Sequence, residues 1–117
     1  MASSRQCFAL DLKDDPELIA QYRTWHAPGG PPAAVTRAIR ASGIESLDIW
    51  LTGNRLFMLM ETGPGFSAEA RAASDALDPD VQAWETLMWR FQQALPWAKP
   101  GEKWIEADQI FALDQQP

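Results

Sequence analysis

The stretch Leu56-Phe57-Met58-Leu59-Met60 constrains this chain more than any other, because successive side chains of a strand point to opposite faces and here both faces are apolar. Leu56, Met58 and Met60 fall on one side and Phe57 and Leu59 on the other, so the segment reads as a central strand. One face is expected to meet helices. In a chain of 117 residues the other needs a further cover, and a second copy of the same chain is the simplest supply. Thr52-Gly53-Asn54-Arg55 carries a Gly-Asn turn signal between this strand and a second apolar run over residues 44–51, so the two should pair antiparallel as a hairpin.

The remaining elements arrange themselves around that hairpin. Residues 5–12 alternate, with Phe8, Leu10 and Leu12 opposite Cys7, Ala9 and Asp11, which predicts the first strand. Asp15-Pro16-Glu17 then offers a helix cap, a proline at the first helical position and an early acidic residue. Leu18, Ile19, Tyr22 and Trp25 follow at helical spacing, and the helix should end near His26, before Ala27-Pro28-Gly29-Gly30-Pro31-Pro32. Val35, Ala38 and Ile39 mark another helical stretch that stops at Ser42-Gly43. Beyond Gly63-Pro64-Gly65, Ser67 can cap an alanine-rich helix running to about Ala76. A stronger helix opens at Asp78-Pro79-Asp80, and its apolar stripe of Val81, Trp84, Leu87, Met88, Phe91 and Leu95 is expected to run to Pro96. A tryptophan-flanked loop and a last strand over residues 105–113 complete the chain. The order of strand, helical region, two strands, helical region and strand predicts an α+β fold built on a ferredoxin-like split βαβ unit. Residues 1–117 read as a single domain without internal repeats.

Charge and composition then narrow the partners. The formal net charge is -6 and the ten Lys and Arg residues are scattered rather than clustered, so nucleic acid is not expected. No stretch of about 18 apolar residues is present, so no membrane partner is expected and a cytoplasmic location is the default. Cys7 is the sole cysteine, which rules out an intramolecular disulfide.

His26 is the sole histidine, and Tyr22 lies four residues earlier on the same helix face. That pair sets a group suited to proton transfer near neutral pH beside a phenol able to hydrogen-bond a hydroxylated ligand. A metal site has little to build on, since one histidine and one cysteine fall in no ligand-spacing pattern; none is expected. The glycines lie among prolines rather than in a strand-to-helix phosphate cradle, and no serine sits in a Gly-x-Ser-x-Gly elbow. Six tryptophans, Trp25, Trp50, Trp84, Trp89, Trp97 and Trp104, exceed what a core of this size needs, so some are expected to line a ligand pocket and the others to serve core packing and a subunit interface. Trp84 and Trp89 cannot face the same way on one helix. Asp48, Glu61, Glu85, Glu106 and Asp108 are the carboxylates that could assist the histidine, and the sequence does not choose among them.

These features, in this order, resemble the L-rhamnose mutarotases and the related L-fucose mutarotases. The carriers are Cys-Phe-Ala-Leu-Asp-Leu-Lys in the first strand, Tyr22-Arg23-Thr24-Trp25-His26, Ser42-Gly43-Ile44, Gly53-Asn54-Arg55-Leu56-Phe57-Met58, and the late helix with Trp84 and Met88 before Pro96. The resemblance spans nearly the whole chain and implies a cofactor-free aldose 1-epimerase on a dimeric α+β barrel. It also implies that His26 is the proton donor and that Tyr22 contacts the sugar. A second sugar-binding tyrosine of the rhamnose enzymes corresponds to Leu47, and their paired tryptophans correspond to Trp84-Glu85 or, with another gapping, Leu87-Met88. Leu47, Trp84 and Met88 are therefore the further expected sugar contacts. Those departures, together with Trp25-His26-Ala27-Pro28-Gly29 and Pro96-Trp97-Ala98-Lys99-Pro100-Gly101, resemble the fucose-directed branch, so L-fucose is expected ahead of L-rhamnose.

Anomer exchange needs the ring hemiacetal to open, the aldehyde to rotate and the ring to close on its other face. His26 is expected to protonate the ring oxygen while a carboxylate or an ordered water takes the anomeric proton. Two rivals share this expectation of fold: a cofactor-independent oxygenase of aromatic substrates, which a tryptophan-rich pocket would suit, and a non-catalytic sugar-binding dimer.

Overall fold

A computed structural model describes residues 4–117. Its elements are β1 (Ser4–Leu12), α1 (Pro16–His26), α2 (Ala33–Ala41), β2 (Ile44–Thr52), β3 (Arg55–Thr62), α3 (Ala68–Leu77), α4 (Pro79–Trp89), β4 (Gln92–Gln93) and β5 (Ile105–Glu106), with a short 3-10 turn at Leu113–Gln115. The sheet runs β2-β3-β1-β4, with β5 also pairing with β1, and every pairing is antiparallel. This is the strand order of a ferredoxin-like split βαβ unit, as the element sequence predicts.

The β2–β3 hairpin forms where the turn signal places it, with Gly53 taking a left-handed φ of 57° that other residues avoid. Strand β3 is central, and its two faces part as the alternation requires. Leu56, Met58, Met60 and Thr62 are buried against the helices, while Phe57, Leu59 and Glu61 are exposed on the other side. The register Trp50↔Phe57 and Cys7↔Leu59 puts those residues together on the outer face, and Trp50 is 61% exposed. On the inner face Leu10, Leu12 and Leu56 are fully buried, as is Met88 of α4, which joins Leu12 and Leu56 in one core cluster.

Local chemistry explains the helix starts. The Asp15 carboxylate accepts from the Glu17 and Leu18 amides at 2.9 and 3.1 Å, and Asp78 accepts from Asp80 and Val81 at 2.9 and 3.3 Å, each just ahead of a proline. Gly30 closes the turn after α1 with its Cα packed on the Trp25 carbonyl; a Cβ there would run into that oxygen, so the bend needs glycine.

Two sequence expectations are corrected. Helix α4 ends at Trp89 rather than continuing to Leu95. The end of β1 claims the following backbone: Lys13 N–H donates to the Phe91 carbonyl at 2.8 Å, and Gln92 and Gln93 pair with Leu12 and Asp11. Phe91 and Leu95 are buried as expected, but from the turn and the non-helical residues on either side of β4. The last strand is two residues long rather than 105–113. Ile105 and Glu106 pair with Ala9 and Phe8, the Ala107 amide adds one bond to the Cys7 carbonyl, and from Asp108 onward no partner strand is present among the described residues, where Ile110, Phe111 and Leu113 are exposed. Alternation is a local pattern, whereas a ladder needs a neighbour. The fourth sheet position is therefore divided between β4 and β5, and the excursion between them brings Lys103 and Trp104 back over α4.

Candidate functional site

A cavity of about 540 Å³ opens between the inner face of the sheet and helices α1, α2 and α4. Tyr22, His26, Leu47, Trp84 and Met88, the five residues singled out from the sequence, all line it. They arrive from three elements: Tyr22 and His26 from one face of α1, Leu47 from β2 opposite Met60, and Trp84 and Met88 from one face of α4.

The imidazole and phenol are packed ring against ring, 4.1 Å between centroids at 30°. Trp84 stands 5.5 Å from the imidazole and meets Trp25 edge-on at 5.9 Å. His26 Nδ1 lies 2.7 Å from the Tyr22 carbonyl oxygen. A carbonyl can only accept, so Nδ1 carries the proton of the neutral ring and Nε2 is left with its lone pair free. Burial holds the imidazole below its ordinary pKa, an effect that outweighs the opposing hydrogen bond to the backbone. At neutral pH the ring is therefore uncharged and basic at Nε2.

Tyr22 is 3% exposed, and its phenol oxygen accepts from Gln92 Nε2 at 3.1 Å. Burial pushes its pKa up to about 12, partly offset by the Gln92 hydrogen bond and reinforced by the negative charge of Glu85. Tyr22 is thus a neutral donor at any physiological pH.

Among the five carboxylates named from the sequence, Asp48 and Glu85 border the cavity. Asp48 alternates with Leu47 and Ile49 and so turns its side chain to the outer face of the sheet. Glu85 lies within reach of Lys103, whose Nζ is 2.7 Å away and also sits 4.9 Å above the Trp89 ring. Glu61 is on the outer face, Glu106 takes a 3.4 Å hydrogen bond from Gln6, and Asp108 is exposed. Trp84 and Trp89 point to different surroundings, as their spacing requires.

Three contributors to the cavity carry no signal in the sequence, Gln92, Arg71 and Asp75, and Trp104 joins them from the set of tryptophans expected to supply a ligand wall. Arg71 and Asp75 pair at 3.5 Å on α3, where burial, countered by Arg71 and aided by Glu85, lifts the Asp75 carboxyl above the usual range. Met58, Arg71, Asp75, Glu85 and Trp104 also wall an adjoining chamber of about 320 Å³. The spacing of Arg71 and Asp75 on a helix reads as a solvated ion pair, and nothing local reveals that α3 turns them toward the sheet. Among the described residues no cluster of three or more His, Cys, Asp or Glu side chains is placed to hold a metal ion.

The fold is that of a mutarotase: a solved L-rhamnose mutarotase from Formosa agariphila superposes with a TM-score of 0.65 at 15% sequence identity, covering 94% of this chain and 98% of that one. A sequence model of L-rhamnose mutarotase matches residues 5–113, and the chain belongs to that family. It is 51% identical over 115 residues to an L-fucose mutarotase of Xanthomonas campestris pv. campestris, covering 98% of this chain and 92% of that protein. It is also 34% identical over 110 residues to a UPF0734 protein of Dictyostelium discoideum, covering 91% and 86%. The chain is accordingly an isomerase of the mutarotase kind, and the oxygenase reading finds no support among these relatives. No helix among the described residues is long and apolar enough to cross a membrane.

Proposed function

We propose that this enzyme interconverts the α and β anomers of a 6-deoxy-L-hexose, L-fucose ahead of L-rhamnose, with His26 as the proton-transfer group and without a cofactor. The observation that carries the reading is the Nδ1 bond of His26 to the Tyr22 carbonyl, which aims a basic Nε2 from the wall of a cavity large enough for a monosaccharide. The L-fucose mutarotase relative at 51% identity supports the choice of sugar.

The neutral tautomer supports an order opposite to the acid-first expectation. His26 Nε2 first takes the proton of the anomeric hydroxyl. The C1–O5 bond then breaks as the C1 carbonyl forms, and the imidazolium gives the same proton to the departing ring oxygen. After the aldehyde rotates, the steps run backward on its other face. Both oxygens are attached to C1, so one imidazole reaches each in turn and no second protein group is required. Tyr22 donates a hydrogen bond to a sugar hydroxyl, and Trp84 covers the apolar patch of C–H groups on the ring. Leu47 and Met88 provide the apolar wall against which a 6-methyl group is preferred to a hydroxymethyl.

The working unit is proposed to be a cytoplasmic homodimer of this single domain. Trp50, Phe57 and Leu59 lie exposed together on the outer sheet face, an apolar surface of the kind that oligomers bury.

Saturation-transfer NMR on L-fucose, L-rhamnose and D-galactose tests the activity. Exchange should be accelerated most for L-fucose, and His26→Asn should abolish the acceleration while leaving the circular dichroism spectrum unchanged. Exchange no faster than in matched buffer, or an His26→Asn enzyme of normal rate, would refute the reading.

A further inference from the structure

Gln92 is a polar residue in an apolar place. It opens β4, its backbone pairs with Leu12, and it is only 4% exposed. Its amide nitrogen donates to the Tyr22 phenol at 3.1 Å. Its amide oxygen is buried without a hydrogen-bond partner among the described residues. Buried polar atoms are nearly always paired, so an orphan on the wall of a cavity marks a place that something else completes. The phenol is half-spent in the same way: its oxygen accepts from Gln92, which leaves its proton to donate elsewhere. Turning the amide over exchanges the roles of its two ends and does not remove the orphan.

The two open functions are close together. The ends of an amide are on the order of 2.3 Å apart from standard bond lengths and angles, which places Gln92 Oε1 within roughly 5.4 Å of the Tyr22 oxygen. One hydroxyl oxygen about 2.8 Å from each can bridge them. An alcohol is the group that matches, because it can donate to the amide oxygen and accept from the phenol at once.

We propose that Gln92 is a substrate-binding residue which, with Tyr22, forms a two-point hydrogen-bonding site for one non-reacting ring hydroxyl of the sugar, at C2, C3 or C4. The inference rests on the mutarotase reading and deepens it. Because that hydroxyl is unchanged between ring and open-chain forms, the pair binds ground state and transition state alike, and its loss appears in KM rather than kcat.

The test is Gln92→Met, which removes both amide ends at similar volume. The substitution removes the unpartnered amide oxygen but takes the Tyr22 phenol's donor with it, so the two effects oppose and the thermal midpoint should change little. KM for L-fucose should increase about tenfold, the value of one neutral hydrogen bond, with kcat little changed. The Tyr22→Phe and Gln92→Met penalties should be non-additive, since both act on one hydroxyl. Across the 2-, 3- and 4-deoxy sugars, the Gln92→Met penalty should vanish for one and persist for the others. A role confined to tying β4 to α1 would instead lower the thermal midpoint and penalise every sugar equally. An unchanged KM, or a penalty identical for all the deoxy sugars, overturns the proposal. Should Gln92→Met fail to fold, the side-chain amide NMR signal of Gln92 in the unaltered protein decides: it should move on saturation with L-fucose, and an unmoved signal overturns the proposal. Wild-type enzyme that does not accelerate exchange topples the mutarotase reading itself, whereas active wild type with an indifferent Gln92→Met variant topples this inference alone.

Discussion

Alkaline titration of Tyr22 probes the site without any ligand, because the chain has a single tyrosine and its phenolate absorbance reports that residue alone. Burial pushes this phenol from its ordinary 10.0 up to about 12. Two pH units at roughly 1.4 kcal/mol each correspond to about 3 kcal/mol of preference for the neutral form in the folded chain. The folded pKa is the higher one, so this contribution to stability is complete below pH 10 and is lost as pH rises through about 12. The phenolate difference band should therefore appear near pH 12, together with any loss of near-ultraviolet circular dichroism, rather than near 10 with the fold intact. Two substitutions separate the causes. Glu85→Gln removes a negative charge and should lower the midpoint, while Gln92→Met removes the hydrogen bond that favours the phenolate and should raise it. A wild-type midpoint near 10 in folded protein would refute the claim that this phenol is shielded and held by Gln92.

The sole histidine permits an equally direct experiment: the NMR titration of His26 and the acid limb of kcat/KM should share a midpoint below about 6.5, activity falling as the ring is protonated, and a midpoint above that value would contradict the burial of the imidazole. Trp50→Glu combined with Leu59→Glu should convert a dimer to a folded monomer by light scattering, and a wild-type chain that is monomeric at micromolar concentration would dismiss the interface. Leu10→Ala, at a position with no exposure, should cost about 2–5 kcal/mol in denaturant unfolding; a cost under roughly 1 kcal/mol would show that the inner sheet face is not the packed core.

Much of the fold is legible in local pattern. The two-sided apolar strand, its Gly-Asn turn and the Asp-Pro helix starts are each decided by residues within a few positions of one another, and all of them form. The imidazole and phenol share a face for the same reason, since four residues on a helix return nearly to the same side. The end of α4 is different. Phe91 and Leu95 continue a helical stripe, yet the free edge of β1 competes for the backbone after α4 and wins, so periodicity misreads a turn and the short strand β4 as helix. Residues 105–113 fail in the opposite sense: their alternation suits a strand, but among the described residues no strand lies beside them after Ala107.

What the amino-acid order determined by itself, then, is the central hairpin, the first strand, the helix starts, the face each presents, and the one imidazole and one phenol that the α1 helix sets side by side. Tertiary structure alone decided which distant groups complete them: Gln92 meets the Tyr22 phenol across 70 positions of sequence, and Lys103 returns to Glu85 across 18. Spacing along a helix or strand encodes direction within a few residues, whereas burial and hydrogen-bond partnership depend on how separate elements pack, and only the packed sheet and helices create the enclosed space that lowers the His26 pKa and raises that of Tyr22.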